Sequence, residues 1–167
     1  MLYLLDSNVL ITAHNSYYPI DRVPEFWGWM AHVGSEGRAK VPAELYEEVT
    51  DGNDALADWA RESENRDALV LEETIDVDLL STVVEHGYAS DLTDDEFEKI
   101  GRDPFLIAYA LAAQDQRCVV TTEVSKPSRI RANRHIPDVC AIVGVRCIDS
   151  FQLLRALDFR TSWRAGS

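Results

Sequence analysis

Four short apolar runs, each followed by a stretch of helical periodicity, do most to constrain what this chain can fold into. Tyr3-Leu4-Leu5 comes first and stops at Asp6. Ala39-Lys40-Val41, Cys118-Val119-Val120-Thr121 and Val145 to Ile148 follow. Runs this short and continuous read as strands covered on both faces. Between them, Ser7 is placed to cap a helix with Val9, Leu10 and Ala13 on its inner face. Pro24 opens a second helix carrying Phe26, Trp27, Trp29, Met30 and Val33, and Pro42 opens a third through Glu44, Leu45 and Val49. Residues 54–64, 76–86 and 93–100 have helical character, and Leu69-Val70-Leu71 is ambiguous. Asp103-Pro104 is a strong helix start, an acid at the cap and proline at the first helical position, with Ile107, Ala110 and Leu111 facing inward. A short helix over 136–143 and another through Phe151, Leu154 and Leu157 complete the series. Strands alternating with helices predict an α/β fold: a three-layer α/β/α sandwich with a central, mainly parallel sheet, in one domain over 1–167.

The chain's 167 residues suit one domain with a substantial core. No apolar run approaches bilayer length, and no membrane association is expected. The first residues, MLYLLDSN, lack a basic stretch before the apolar one, which argues against a secretory signal. Cys118, Cys140 and Cys147 form no CxxC pair, so they are expected to be reduced core thiols in a cytoplasmic protein, not zinc ligands. A net charge of −13 opposes nucleic-acid binding in general. The charge is uneven, however. Residues 41–103 carry 20 acids against 4 Lys or Arg, whereas residues 104–167 carry 5 against 9. A polyanion would approach the second region.

Among 29 acids, position selects a few. In open parallel sheets, ligands bind beyond the carboxyl ends of the strands. Asp6 directly follows the first strand, and Glu123 lies just past Thr121. Asp103 starts a helix, and Glu44 lies in the first turn of another. Each has a plain structural reading: Asp103 as a cap, Glu44 as a complement to the helix dipole, Asp6 as a turn cap, Glu123 as a loop acid. What separates the chemical reading from the plain one is their joint order.

The segments YLLDSNVL, VPAEL, DPFLIAYA and VVTTE resemble, in order, the four signature segments of PIN domains. The acids they carry are separated by 38, 59 and 20 residues, and the likeness spans residue 2 to about Ile148. The stretch HNSYYPIDRVPEFWGWM resembles a less characterised PIN-like branch near the toxin-type ribonucleases. The resemblance implies that Asp6, Glu44, Asp103 and Glu123 bind Mg²⁺ or Mn²⁺ and serve as the catalytic acids of an endoribonuclease. Asn8 and Thr121 would orient water. Glu123 departs from the pattern, which has Asp there. The resemblance also implies an antitoxin partner and a possible homodimer.

Such chemistry suits these residues. Hard divalent ions prefer oxygen ligands, and converging carboxylates need a cation to remain ionised together. Lys126, Arg129, Arg131 and Arg134, in the loop after Glu123, are the expected nucleic-acid contacts. Phe26, Trp27 and Trp29 fit helix packing better than base stacking. Two alternatives stand beside the nuclease. One is a PIN-fold binding module with weak catalysis. The other is a phosphatase of the haloacid dehalogenase type, which wants an Asp where Asn8 stands.

Overall fold

In the computed structural model, which describes residues 1–166, the apolar runs are the strands of one five-stranded sheet. They are β1 (Leu2–Leu5), β2 (Ala39–Pro42), β3 (Val70–Leu71), β4 (Arg117–Val120) and β5 (Arg146–Ile148). Every pairing is parallel, in the order β3-β2-β1-β4-β5. The ambiguous Leu69–Leu71 run resolves into the edge strand β3. It pairs Val41 with Val70 and Pro42 with Leu71. Parallel neighbours require long crossovers, and helices supply them on both faces, giving three layers.

The helices are α1 (Ser7–Thr12), α2 (Pro24–Ser35), α3 (Ala43–Thr50), α4 (Ala55–Arg61), α5 (Ser63–Leu69), α6 (Val77–Thr82), α7 (Asp94–Ile100), α8 (Asp103–Leu111), α9 (Ile136–Val143) and α10 (Ser150–Ala156). The expected helix over 54–64 is two helices, because Glu62 is extended (φ −60°, ψ 130°) and breaks the run. Helices α1 and α6 each widen at their ends into a π-type turn. Tyr18 N bonds Ala13 O at 2.6 Å, and Ala89 N bonds Val84 O at 3.0 Å. Such turns often lie at functional positions.

Leu4 and Leu5 of β1, Leu10, Met30, Leu106 and Ile107 are fully buried. Each contributes about 1.5–3 kcal/mol by leaving water. Phe26, Trp27 and Trp29 are also buried, at 2–3% exposure, so they pack the core and are closed to bases. Helix α2 meets α5 closely at Gly34, where a Cβ would fall 2.8 Å from Ala68 O. Among the described residues, no helix is long and apolar enough to cross a membrane.

Strand order reverses between β1 and β4. That is the topological switch point, where parallel sheets open a crevice at the strands' carboxyl ends. Asp6 N bonds Val120 O at 2.9 Å, so Asp6 and Thr121 emerge side by side there.

Candidate functional site

Asp6 is the residue before α1, extended at φ −67° and ψ 147°, and its side chain caps nothing. It is 4% exposed and held from the neighbouring strand, with Thr121 Oγ1 donating to its Oδ2 at 2.9 Å. The same hydroxyl accepts from Asn8 Nδ2 at 3.3 Å and from Glu123 N at 3.2 Å. Asn8 Oδ1 in turn accepts from Thr122 N at 3.1 Å. Thr121 thus uses its one donor and both acceptor directions within the protein. The expectation that it orients water is corrected: Asn8 and Thr121 clamp β1 to the end of β4 and aim Asp6.

Ser7, expected as a cap, lies inside α1. Its hydroxyl donates to Glu48 Oε2 at 2.5 Å, shorter than its 3.4 Å approach to Asp6 Oδ1. This contact brings in an acid outside the four motif positions. Glu44 and Glu48 are one turn apart on α3, but only the second reaches the end of β1. Glu44 accepts from Tyr109 Oη at 3.2 Å, and its backbone carbonyl accepts from Arg102 Nη1. Glu48 is exposed as a whole residue, while its carboxylate is tied to Ser7 and raises the pKa of Asp6 and Asp103. Glu48 is therefore the acid of α3 tied beside Asp6, whereas Glu44 turns to Tyr109 and keeps its other oxygen, Oε2, buried without a hydrogen-bond partner.

Asp103 is the first residue of α8. The cap position is taken by Arg102 (φ −98°, ψ −3°), so the capping reading of Asp103 is not realised. Its carboxylate accepts no hydrogen bond among the described residues. Burial first, then Asp6, Glu123 and Glu48, push it up to about 8. Burial likewise raises Asp6 to about 6, against the lowering effect of Thr121 and of Asn8 N–H, with Glu123 and Glu48 adding repulsion. Glu123 is part-committed: its Oε2 accepts from Ile136 N at 2.8 Å, at the start of α9.

These carboxylates share a field without converging on a point. Among the described residues, no three His, Cys, Asp or Glu side chains are grouped to hold one metal ion. The expectation of a direct sphere of Asp6, Glu44, Asp103 and Glu123 is not met. Coulombic repulsion acts over longer distances than coordination, which for Mg²⁺ needs oxygens at about 2.0–2.1 Å. The donor chemistry fits a hydrated ion held by one or two carboxylates, the usual Mg²⁺ arrangement, and not a closed protein cage.

The basic loop divides. Arg131 is fully engaged. It meets Glu96 at 2.7 and 2.8 Å, Asp91 Oδ1 at 2.7 Å and Asp91 O at 2.9 Å, which removes it as a nucleic-acid contact. The Arg131 guanidinium and the Thr93 cap pull Glu96 down to about 2. Arg134 Nη1 braces the second π-type turn, donating to Gly87 O at 2.8 Å and Tyr88 O at 3.1 Å. The side chains of Lys126 and Arg129 make no hydrogen bond or ion pair among the described residues. Beside Asp103 and Glu123 opens a polar cavity of about 340 Å³, bordered by Tyr88, Lys99, Arg129 and Arg134. The Tyr88 phenol, which sequence reasoning passed over, is pushed above its ordinary range by burial, then by Asp103, Cys140, Glu123 and Asp6.

Fold and site together define an α/β sandwich protein with a carboxylate pocket at its switch point. The family profile described as "Domain of unknown function (DUF4411)" matches residues 3–161, and the chain belongs to that family. No curated protein matches the sequence.

Proposed function

We propose that this protein is a metal-dependent endoribonuclease of PIN type, using Mg²⁺ or Mn²⁺. One observation carries the reading: half-buried Asp103 accepts no hydrogen bond among the described residues and is raised to about 8 by burial and by Asp6, Glu123 and Glu48. Carboxylates that repel one another in this way would be relieved by a cation. Asp6 and Asp103 would hold the ion, with Glu48 and Glu123 acting through water. When bound, such an ion acidifies water and offsets charge on a phosphodiester. The chain's own contribution is placement: Thr121 and Asn8 hold Asp6, Ser7 holds Glu48, and Ile136 N–H holds Glu123. Lys126 and Arg129 are the cations left to meet an RNA backbone.

The toxin of a toxin–antitoxin pair is the role we favour. An apolar groove of about 390 Å³, bordered by Tyr17, Val124 and Phe151, supports burial of an antitoxin or a second copy. The three free thiols support a cytoplasmic location. A catalytically weak binding module of the same fold is the second reading, favoured by the lack of a three-donor metal group among the described residues. The phosphatase reading loses ground, since Asn8 is spent on Thr121 and Thr122. Cleavage of a single-stranded RNA with and without Mn²⁺, by wild type and Asp103→Asn, tests the proposal. Metal-dependent cleavage lost in the variant supports it; metal-independent cleavage or an equally active variant refutes it.

A further inference from the structure

Tyr88 is 3% exposed, lines the polar cavity beside Asp103 and Glu123, and its hydroxyl has no hydrogen-bond partner. A buried hydroxyl without a partner is destabilising, and Phe would fill the same place without that penalty. The hydroxyl sits on the π-type turn Val83–Tyr88, whose carbonyls at Gly87 and Tyr88 are fixed by Arg134 Nη1. Lys99, which also borders the cavity, is tethered through Nζ to Asn133 Oδ1 at 2.6 Å, and the Arg129 side chain makes no hydrogen bond or ion pair among the described residues. Lys99, Arg129 and Arg134 thus border the cavity together with Asp103 and Glu123, and of the three cations the Arg129 side chain is the uncommitted one among the described residues.

We infer that this cavity is a phosphate subsite, in which the Tyr88 hydroxyl and Arg129 bind the nucleic-acid phosphate next to the one cleaved. The inference rests on the nuclease reading and adds the neighbouring nucleotide to it. Geometry distinguishes the two groups. Tyr88 offers one unpartnered O–H on a turn braced by Arg134, and Arg129 offers a charge without an ion-pair partner among the described residues. A phosphate oxygen satisfies the first and neutralises the second, and neither sugar nor base edge would do both.

The test measures binding without relying on cleavage. Asp103→Asn protein is titrated with a fluorescent single-stranded RNA heptamer, alone and with Tyr88→Phe or Arg129→Ala added. Arg22→Ala, at an exposed position outside the cavity, serves as the charge control. Melting temperatures are recorded for each. We expect Tyr88→Phe and Arg129→Ala each to weaken binding about fivefold to tenfold, the effect of one lost ordinary hydrogen bond or exposed ion contact. Arg22→Ala should change it less than twofold. Tyr88→Phe should melt no lower than its parent. A heptamer with a methylphosphonate beside the scissile position should bind more weakly to the parent and equally to Tyr88→Phe. Binding that survives both cavity variants overturns the subsite and leaves the nuclease reading standing. Failure of the Asp103→Asn parent to bind RNA, with no cleavage by wild type, overturns both. If Tyr88→Phe does not fold, Arg129→Ala and the methylphosphonate decide alone.

Discussion

Withdrawing divalent metal and raising the pH should loosen this fold, and Asp103 sets the size of the effect. Its folded pKa of about 8 lies above the ordinary 3.8, so the folded state keeps a proton that the unfolded state releases. Stability therefore falls as pH rises between those values, by about 1.4 kcal/mol per pH unit for one proton. From pH 6 to pH 8, Asp103 alone implies about 2.3 kcal/mol, since it is half-titrated at the upper end. Partial exposure of Asp103 trims this to roughly 1–2 kcal/mol, or a fall of roughly 2–8 °C in Tm for a chain of this length. The assay is urea and thermal unfolding in EDTA from pH 5 to 8.5, on wild type and Asp103→Asn. Wild type should lose stability across that range. The variant should be flatter, should exceed wild type at pH 8, and should approach it as pH falls towards 4. Saturating Mn²⁺ should flatten the wild-type curve. Parallel curves for the two proteins would show that Asp103 is not strained by burial and like charge, and the argument for a cation would go with it.

Glu48→Gln should weaken Mn²⁺ binding about tenfold by calorimetry, whereas Glu44→Gln should leave it within about twofold; the reverse order would restore Glu44 to the site. Thr121→Val removes the clamp on Asp6 and leaves Asn8 and Glu123 N–H short of an acceptor. It should destabilise by about 1–3 kcal/mol in urea and drive the Asp6 pKa higher still. Gly87→Ala places a Cβ 2.6 Å from Val139 Cγ1 on α9. It should destabilise by about 1–3 kcal/mol, and an unchanged midpoint would mean that the turn and α9 are not in close contact.

The sheet was legible because its strands are continuous apolar runs that no other arrangement buries well. Asp6 and Asp103 were legible for a related reason: one terminates a strand, and the other is fixed by Pro104. Glu48 was not. Glu44 and Glu48 lie on the same face of α3, and choosing between them depends on how steeply that helix leaves β2. Tyr109 and Arg102, from a distant segment, occupy the first turn and leave the second to meet Ser7. A clue was present, since an acid one turn further along clears the sheet edge more easily. Arg131 misled because a local cluster of positive charge does not reveal acids 35 and 40 residues upstream. Tyr88 carried no signal at all: that its buried hydroxyl is left without a partner beside Asp103 and Glu123 is a product of the folded chain.

The clamp between Asp6 and Thr121 joins residues 115 positions apart. The carboxylate pocket is therefore wholly non-local. A proteolytic nick that separates β1 from β4 leaves each fragment with its acids but without the enclosure that gives them their altered acidity. Whatever chemistry this protein performs is a property of the assembled sheet and is inherited by none of its pieces.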